Sequence, residues 1–390
     1  MIVNRTIVES ILFLKNKYPI IALTGPRQSG KTTLLKELFP DYQYLSLENP
    51  DMRTFFRNDP KGFFKQYSKF CIIDEAQREP DLFSYLQTIV DEDKIMGQYI
   101  LSGSQNFHLM KNITQSLAGR VALFKLFPFD LEELKKHQLL EHNYINYILK
   151  GSYPAVYDRD IPYKNFYNNY MQTYIERDIS ELVNVRDIRS FRTFLSLCAS
   201  RAGQLLNLNA MANECGISQP TAKSWISVLE SSYIIFLLQP YYKNFDKRVI
   251  KSPKLFFYDT GLLCHLLKVK NPDQIKLNSY RGNLFENMVV SESIKLNYHK
   301  NMMQEFWFWR NSGGHEIDLL IQDDEKLKVV EIKSTSTISQ DLFKGIEYFE
   351  KLANDLIKSK TLIYNGLENQ TRTIAQVVSW YDLNTYFDGV

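Results

Sequence analysis

A chain of 390 residues, 44% hydrophobic and 23% charged, has an ordinary soluble composition and room for roughly two to four domains. A net charge of +3 excludes a globally basic nucleic-acid binder, so any basic surface must be local. No apolar run approaches the roughly 18 residues of a membrane span, and the opening MIVNRTIVES lacks a signal-peptide layout. The cysteines, Cys71, Cys198, Cys215 and Cys264, are dispersed and form no CxxC pair. They read as buried thiols in a reducing cytoplasm, with neither a disulfide framework nor a zinc site.

In chain order, residues 18–24 (YPIIALT) predict a buried parallel strand. It runs into Gly25, Pro26, Arg27, Gln28, Ser29, Gly30, Lys31 and Thr32, which match G-x-x-x-x-G-K-[ST] at every fixed position. Thr33 and a helical pattern with Leu34, Leu35 and Leu38 follow. Glycines let backbone N–H groups turn toward phosphates, and a helix N-terminus adds partial positive charge. The pattern assigns ATP to this loop, Lys31 to the β- and γ-phosphates and Thr32 to Mg²⁺. A second strand, 70–73, ends in Asp74 and Glu75: the first acid is expected to hold Mg²⁺ and the second to polarise the attacking water. A third strand, 98–102, leads to Ser104 and Gln105, where a polar side chain can sense the γ-phosphate or simply make a turn. Arg120 reads either as an arginine finger supplied to a neighbouring subunit or as an Arg paired to an acid.

The strings TGPRQSGKTTLL, CIIDEAQREPDLFSYLQ, YILSGSQNFHLM and SLAGRVALFKLFPFDLEEL resemble a bacterial and archaeal family of AAA+-type P-loop ATPases. Its members carry a C-terminal domain of unknown function. The resemblance continues through GSYPAV, YIERDI, FYDTGL and RGNLFENMVVSE to HEIDLLI and VVEIKST, so it covers nearly the whole chain. It implies an ATPase core and makes residues 129–186, aromatic-rich and helical in pattern, a lid that moves with nucleotide state.

Residues 208–231 predict a helix-turn-helix: Leu208, Met211 and Ala212 set one face, Gly216 turns, Ser218 caps and Pro220 suits the next first turn. Gln219, Thr221, Lys223 and Ser224 leave the second helix near its start, while Trp225 reads as core in preference to base stacking. A strand at 233–238 precedes YYKNFDKRVIKSPKLFFY, where Lys243, Lys247, Arg248, Lys251 and Lys254 face one acid, Asp246. That pattern fits a winged helix with Lys223, Lys243, Lys247, Arg248 and Lys251 on DNA. It also fits a protein-interaction module.

Farther on, a helix opens at Arg281-Gly, with Glu286 at the offset from Arg-Gly that suits a ligand and Glu292 as the rival acid. Strands are expected at 305–310, 317–321 and 328–333. A hairpin centred on Asp324-Glu325 sets Asp318 directly opposite Glu331, about 5 Å apart at Cβ, where like charges repel. A divalent cation would relieve that repulsion, with Glu286, Asp318 and Glu331 as oxygen ligands for Mg²⁺ or Mn²⁺ and Lys333 orienting or activating a water. His315 reads as an incidental turn residue or a DNA contact. The order R-G-x-x-x-E, G-x-x-x-D-L, E-x-K resembles the PD-(D/E)xK nuclease fold over about residues 280–365, and within it the archaeal Holliday-junction resolvases.

The expected architecture is α/β and multidomain: P-loop AAA+-like core (1–128), helical lid (129–186), winged helix (187–275) and PD-(D/E)xK nuclease-like α/β domain (276–390). The expected function is a cytoplasmic, homo-oligomeric, ATP-hydrolysing DNA binder acting on branched or Holliday-type DNA. The alternative is a nucleotide-controlled switch whose later segments bind protein and cut nothing.

Overall fold

A computed structural model describes residues 3–104, 116–179, 187–242, 250–277 and 280–388. The chain forms two compact units: residues 1–129 with 298–301, and residues 130–297 with 302–390.

Unit 1 is built on a parallel sheet of β1 (Ile20–Thr24), β2 (Gln43–Ser46), β3 (Cys71–Asp74), β4 (Tyr99–Gly103) and β5 (Val121–Lys125), in the order β2-β3-β4-β1-β5. β1, β3 and β4 are buried along their whole length, as central strands covered on both faces must be. Alternation sorts their side chains. Ile20, Ala22, Ile73 and Leu101 join Phe56, Phe63 and Phe83, whereas Ile21, Leu23, Ile72 and Ile100 join Ile11, Leu34 and Leu35. The helices supplying those partners are α1 (Val8–Lys15), α2 (Lys31–Leu38), α3 (Pro50–Asn58), α4 (Pro60–Gln66) and α5 (Leu82–Asp93). Because β4 pairs with both β1 and β3, the carboxyl ends of all three adjoin. Ligands bind at such strand ends in open α/β sheets.

Unit 2 opens with α6 (Leu131–Lys136), closed at its start by a capping box between Asp130 and Glu133, then α7 (Tyr144–Lys150), α8 (Pro154–Asp158) and α9 (Tyr163–Tyr170). A π-helical stretch, Met171–Ile179, continues α9. The expected helical character of 129–186 therefore holds over its described residues. Next come α10 (Ile188–Ser200), α11 (Leu208–Cys215) and α12 (Gln219–Ser231). Gly216 ends α11 in the left-handed region, and the Ser218 hydroxyl accepts the Thr221 N–H to start α12. Trp225 packs edge-on against Phe191 and Phe194, which makes it core.

β6 (Ile235–Pro240) and β7 (Lys254–Phe257) then form an antiparallel pair, followed by α13 (Thr260–Leu266), α14 (Pro272–Leu277) and α15 (Arg281–His299). β8 (Phe306–Arg310), β9 (Glu316–Asp323), β10 (Lys326–Lys333), α16 (Lys344–Ala353), β11 (Ile357–Tyr364), β12 (Gln370–Thr371), β13 (Gln376–Ser379) and α17 (Leu383–Asp388) complete the chain. The β9–β10 hairpin has the expected register, Asp323 pairing with Lys326 and Leu319 with Val330. α16 buries Ile346, Phe349 and Ala353 at helical spacing against Trp309, Ile317, Leu320 and Val329.

The sheet runs β12-β13-β11-β10-β9-β8-β6-β7. β6 pairs in parallel with β8 through Gln239–Trp307 and Pro240–Phe308. The expected boundary between 275 and 276 is therefore no break in this sheet: a strand from each side of it shares one hydrogen-bonded ladder.

Candidate active sites

The first site grows from the loop between β1 and α2. Gly25 has φ 145°, and a Cβ there would lie 2.1 Å from the Leu126 carbonyl oxygen, so only glycine fits. Buried Arg5 braces the loop, donating to the Ser29 carbonyl (2.9 Å) and the Phe127 carbonyl (2.5 Å). Lys31 is buried and donates to the Gly25 and Pro26 carbonyls at 2.9 and 2.8 Å. Burial pulls its ammonium down to about 8, against the opposing pull of Glu75 and Asp74. The Ser29 hydroxyl is fully buried with no hydrogen-bond partner among the described residues, an orphan that a phosphate oxygen would satisfy.

Asp74 ends β3 and gathers hydroxyls. Thr32 and Tyr44 donate to its Oδ2 at 2.9 and 2.8 Å, and Ser102 donates to Oδ1. Thr32 and Asp74, the expected Mg²⁺ pair, are thus in direct contact. Glu75 takes a left-handed backbone (φ 55°), accepts from Gln77 Nε2 at 2.5 Å, and meets the Ser104 hydroxyl at 3.5 Å. Burial raises the Glu75 carboxyl, with Lys31 opposing and Asp74 adding to the rise. Ser104 therefore faces the base candidate; Gln105 lies outside the described residues. Arg120 makes two bonds to Asp91, at 2.6 and 2.7 Å, both side chains being substantially exposed. The acid pair that the second reading expects is present within the chain. Sequence reasoning missed Arg5, Tyr44, Ser102 and Gln77; a polar residue inside the apolar strand YILSG was the one local signal for Ser102.

The second site lies in unit 2, in an open pocket of about 500 Å³. Lys254, Glu286, Arg310, Glu316, Asp318, Glu331 and Lys333 all line it. Its geometry follows from two local devices. The Asn287 side-chain amide accepts the Phe257 N–H (2.8 Å) and donates to the Phe257 carbonyl (2.9 Å), tying α15 to β7 and bringing Glu286 to Lys254. Strand alternation then puts Glu316 and Asp318 on one face of β9, and Glu331 and Lys333 on one face of β10.

Buried Asp318 accepts the Ile332 N–H at 2.8 Å and the Lys333 ammonium at 3.1 Å. Lys333 also reaches Glu331 at 2.7 Å. The repulsion expected between the opposed acids is therefore relieved by Lys333 itself. Glu331 Oε2 is nevertheless buried without a hydrogen-bond partner among the described residues. Gly345 leaves it space, since a Cβ there would stand 3.1 Å from that oxygen and 2.8 Å from the Glu316 carbonyl oxygen. Burial, aided by Asp318, lifts the Glu331 carboxyl to about 8, and burial lifts Glu286 to about 7. Burial would raise Asp318 too, but Lys333 and Lys254 overcome it and hold the carboxyl below its ordinary range.

The three acids whose ligand oxygens lie within 4.8 Å of one another are Glu286, Glu316 and Asp318. Two of the expected ligands meet there; Glu316 joins them, while Glu331 lines the same pocket outside that trio. Period-two alternation from Asp318 was the signal for Glu316. Lys254, read as part of the basic segment, is instead buried among these acids. Glu292 serves elsewhere, accepting from the Leu131 N–H, the Tyr147 hydroxyl and Lys295. His315 stacks on Tyr348 with ring centroids 3.6 Å apart, so its ring is occupied. Of the expected DNA contacts, Lys223 and Lys251 are exposed, and Lys243, Lys247 and Arg248 lie outside the described residues. All four cysteines are free and buried, and no helix among the described residues is long and apolar enough to cross a membrane.

Residues 17–135 match the family model described as an AAA domain. Residues 141–273 and 281–383 match two domains of unknown function, DUF8612 and DUF4143. Similar proteins include the uncharacterized protein Rv2008c of Mycobacterium tuberculosis, 29% identical over 83% of this chain and 72% of its own. Another is the uncharacterized protein MJ1637 of Methanocaldococcus jannaschii, 25% identical over 85% and 79%. A solved Walker-type ATPase of Pyrococcus abyssi overlays 66% of this chain and 94% of its own at a TM-score of 0.40 and 14% identity, too low to bear on function. The chain carries a P-loop ATPase domain of the AAA type. Among the described residues, one sheet joins β6 and β7, inside the first domain of unknown function, to β8–β13, inside the second, through the β6–β8 pairing.

Proposed function

We propose that this ATPase is a cytoplasmic, homo-oligomeric DNA-binding protein that acts on branched, Holliday-type DNA and cuts phosphodiester bonds at the carboxylate pocket of unit 2. The observation carrying this reading is the convergence of Glu286, Glu316, Asp318 and Glu331 with Lys333 in one open cavity. The orphaned Glu331 oxygen and the all-oxygen donor set suit a hard divalent ion. Glu286, Asp318 and Glu331 would hold Mg²⁺ or Mn²⁺, which supplies an acidified water and stabilises charge on the phosphate. Lys333, about one-third exposed, reaches toward solvent from between two of the acids, where it can orient a water or a phosphate oxygen. The succession α11, turn, α12 and β6–β7 is the order of a winged helix, and Lys223 and Lys251 offer the phosphate backbone two exposed cations.

In the ATPase domain, Lys31 would exchange its two loop carbonyls for the β- and γ-phosphates, Thr32 and Asp74 would hold Mg²⁺, and Glu75 would orient and deprotonate the attacking water. Ser104 positions Glu75. The 129–186 segment serves as the lid. Arg120 enters this scheme only in an assembly that draws it away from Asp91.

The test is ATP turnover with and without single-stranded, duplex and four-way-junction DNA, together with cleavage of the same labelled substrates in Mg²⁺ or Mn²⁺. Junction-stimulated turnover and metal-dependent cutting are expected. Cutting on no substrate leaves an ATP-driven DNA binder; turnover indifferent to all DNA leaves the nucleotide-controlled switch.

A further inference from the structure

Lys254 is the cation of the carboxylate pocket whose expected place lies elsewhere, in the basic segment. It is 2% exposed, although it belongs to the basic segment of the chain. Its Nζ lies 2.8 Å from Glu286 and is also ion-paired with Glu316, with the Phe308 ring 5.5 Å away. β7 fixes this position from two sides: Lys254 pairs with Leu238 of β6 and forms a bridge to Leu205. The ammonium thus has the carboxylate neighbours that a divalent ion would take, two of the three acids whose oxygens cluster within 4.8 Å.

We infer that Lys254 is a resident cation filling the seat between Glu286 and Glu316, so that the pocket takes one divalent ion and not two. The inference rests on the reading of this pocket as a divalent-cation site. Charge counting points the same way. In the deprotonated form that binds a metal, four carboxylates, Glu286, Glu316, Asp318 and Glu331, face three cations, Lys254, Lys333 and Arg310, the last lying 3.2 Å from Glu316. One negative charge is left over. A first divalent ion brings the cluster to +1, and a second would bring it to +3 in a largely buried setting, where uncompensated charge is costly. With Lys254 removed the cluster starts at −2, a first ion neutralises it, a second brings it to +2 in place of +3, and the contacts to Glu286 and Glu316 are freed to receive that second ion. The seat is also distinct from ordinary buried pairing. Lys328 and Asp323 form a comparably buried pair, 3.2 Å apart, near the turn end of the β9–β10 hairpin, and neither lines the pocket.

The experiment titrates nucleotide-free, full-length protein with Mn²⁺ and counts bound ions by electron paramagnetic resonance. The ions belonging to this pocket are those lost in Asp318→Asn. Wild type is expected to hold one such ion, Lys254→Met two, and Lys254→Arg and the distant control Lys328→Met one. An unchanged count and affinity in Lys254→Met would overturn the inference while leaving the metal site standing. Loss of no ion in Asp318→Asn would overturn the metal site, and the inference with it. Thermal stability is an independent readout, because an ion bound only to the folded state stabilises it. Lys254→Met should melt lower than wild type without metal and recover more of its melting temperature in Mn²⁺. A variant that stays unfolded in millimolar Mn²⁺ would make Lys254 a structural prop and overturn the seat.

Discussion

The two sites handle buried charge in opposite ways. At the P-loop, Asp74 is held by the neutral hydroxyls of Thr32, Tyr44 and Ser102, and Lys31 by neutral carbonyls. Among the described residues neither charge is cancelled at contact distance, and burial pulls Lys31 down to about 8. In the unit 2 pocket each acid touches a cation, and Lys254 and Lys333 each bridge two acids. Burial would depress Lys254 and Lys333 as it does Lys31, but their carboxylate neighbours more than reverse it and keep both charged. A site that leaves charges unanswered is built for a ligand bringing both signs, as a nucleotide with its metal does. A site that answers them internally admits a metal only where an oxygen is left over, as Glu331 Oε2 is.

The largest effects should come from breaking the uncancelled site. Lys31→Ala should weaken ATP binding by about 100-fold or more, the usual consequence of truncating a buried charge contact. Calorimetry showing native affinity would remove Lys31 from phosphate binding. Glu75→Gln should keep that affinity and slow turnover by roughly 10²–10⁴-fold, since an amide cannot take the proton. Turnover at the native rate would disqualify Glu75 as base.

In the internally balanced site, Asp318→Asn and Glu331→Gln should abolish metal-dependent cleavage while leaving ATP turnover without DNA at the native rate. Equal cutting by wild type and Asp318→Asn would point to a contaminating nuclease.

A smaller effect should appear in pH dependence. Folded Glu331 and Glu286 bind protons more tightly than unfolded glutamates do, with values of about 8 and about 7. Their contribution to stability is therefore full below the ordinary glutamate range and is lost as pH rises through 7 and 8, by on the order of a few kcal/mol. Metal-free protein should melt progressively lower from about pH 5 to about pH 8. Glu331→Gln should flatten that slope. A slope unchanged by the substitution would show that Glu331 is ionised throughout.

The smallest effect is expected at Arg120. Its exposed pair with Asp91 should matter little to stability, so Arg120→Ala should move the melting temperature by about a degree or less. If turnover falls nonetheless and returns on mixing with Lys31→Ala, the arginine acts across subunits; a native turnover rate confines it to its own surface.

The P-loop site was legible because its loop is contiguous and its two acids end one apolar strand. The β9–β10 hairpin was legible because a two-residue turn sets a register, and Asp318 must then face Glu331. Lys254 was not legible. It reaches Glu316 only because β6 pairs with β8 as well as β7, and no local pattern announces a pairing between Gln239 and Trp307. Arg5 was hidden for the same reason, bracing Ser29 and Phe127 from far away in the chain. Lys223 and Lys251 could be picked out as cations, but exposure alone gives them no partner.

The double pairing of β6 has a consequence for dissecting the protein. A cut between residues 275 and 276 would leave Gln204 and Lys254 on one fragment and Glu286, Glu316, Asp318 and Glu331 on the other. Each fragment would also display a raw strand edge where β6 and β8 had met, an invitation to aggregate. Produced apart, the halves should be sticky, and neither should carry the whole carboxylate pocket. Produced together, they have in β6 and β8 a ready-made zipper for finding each other.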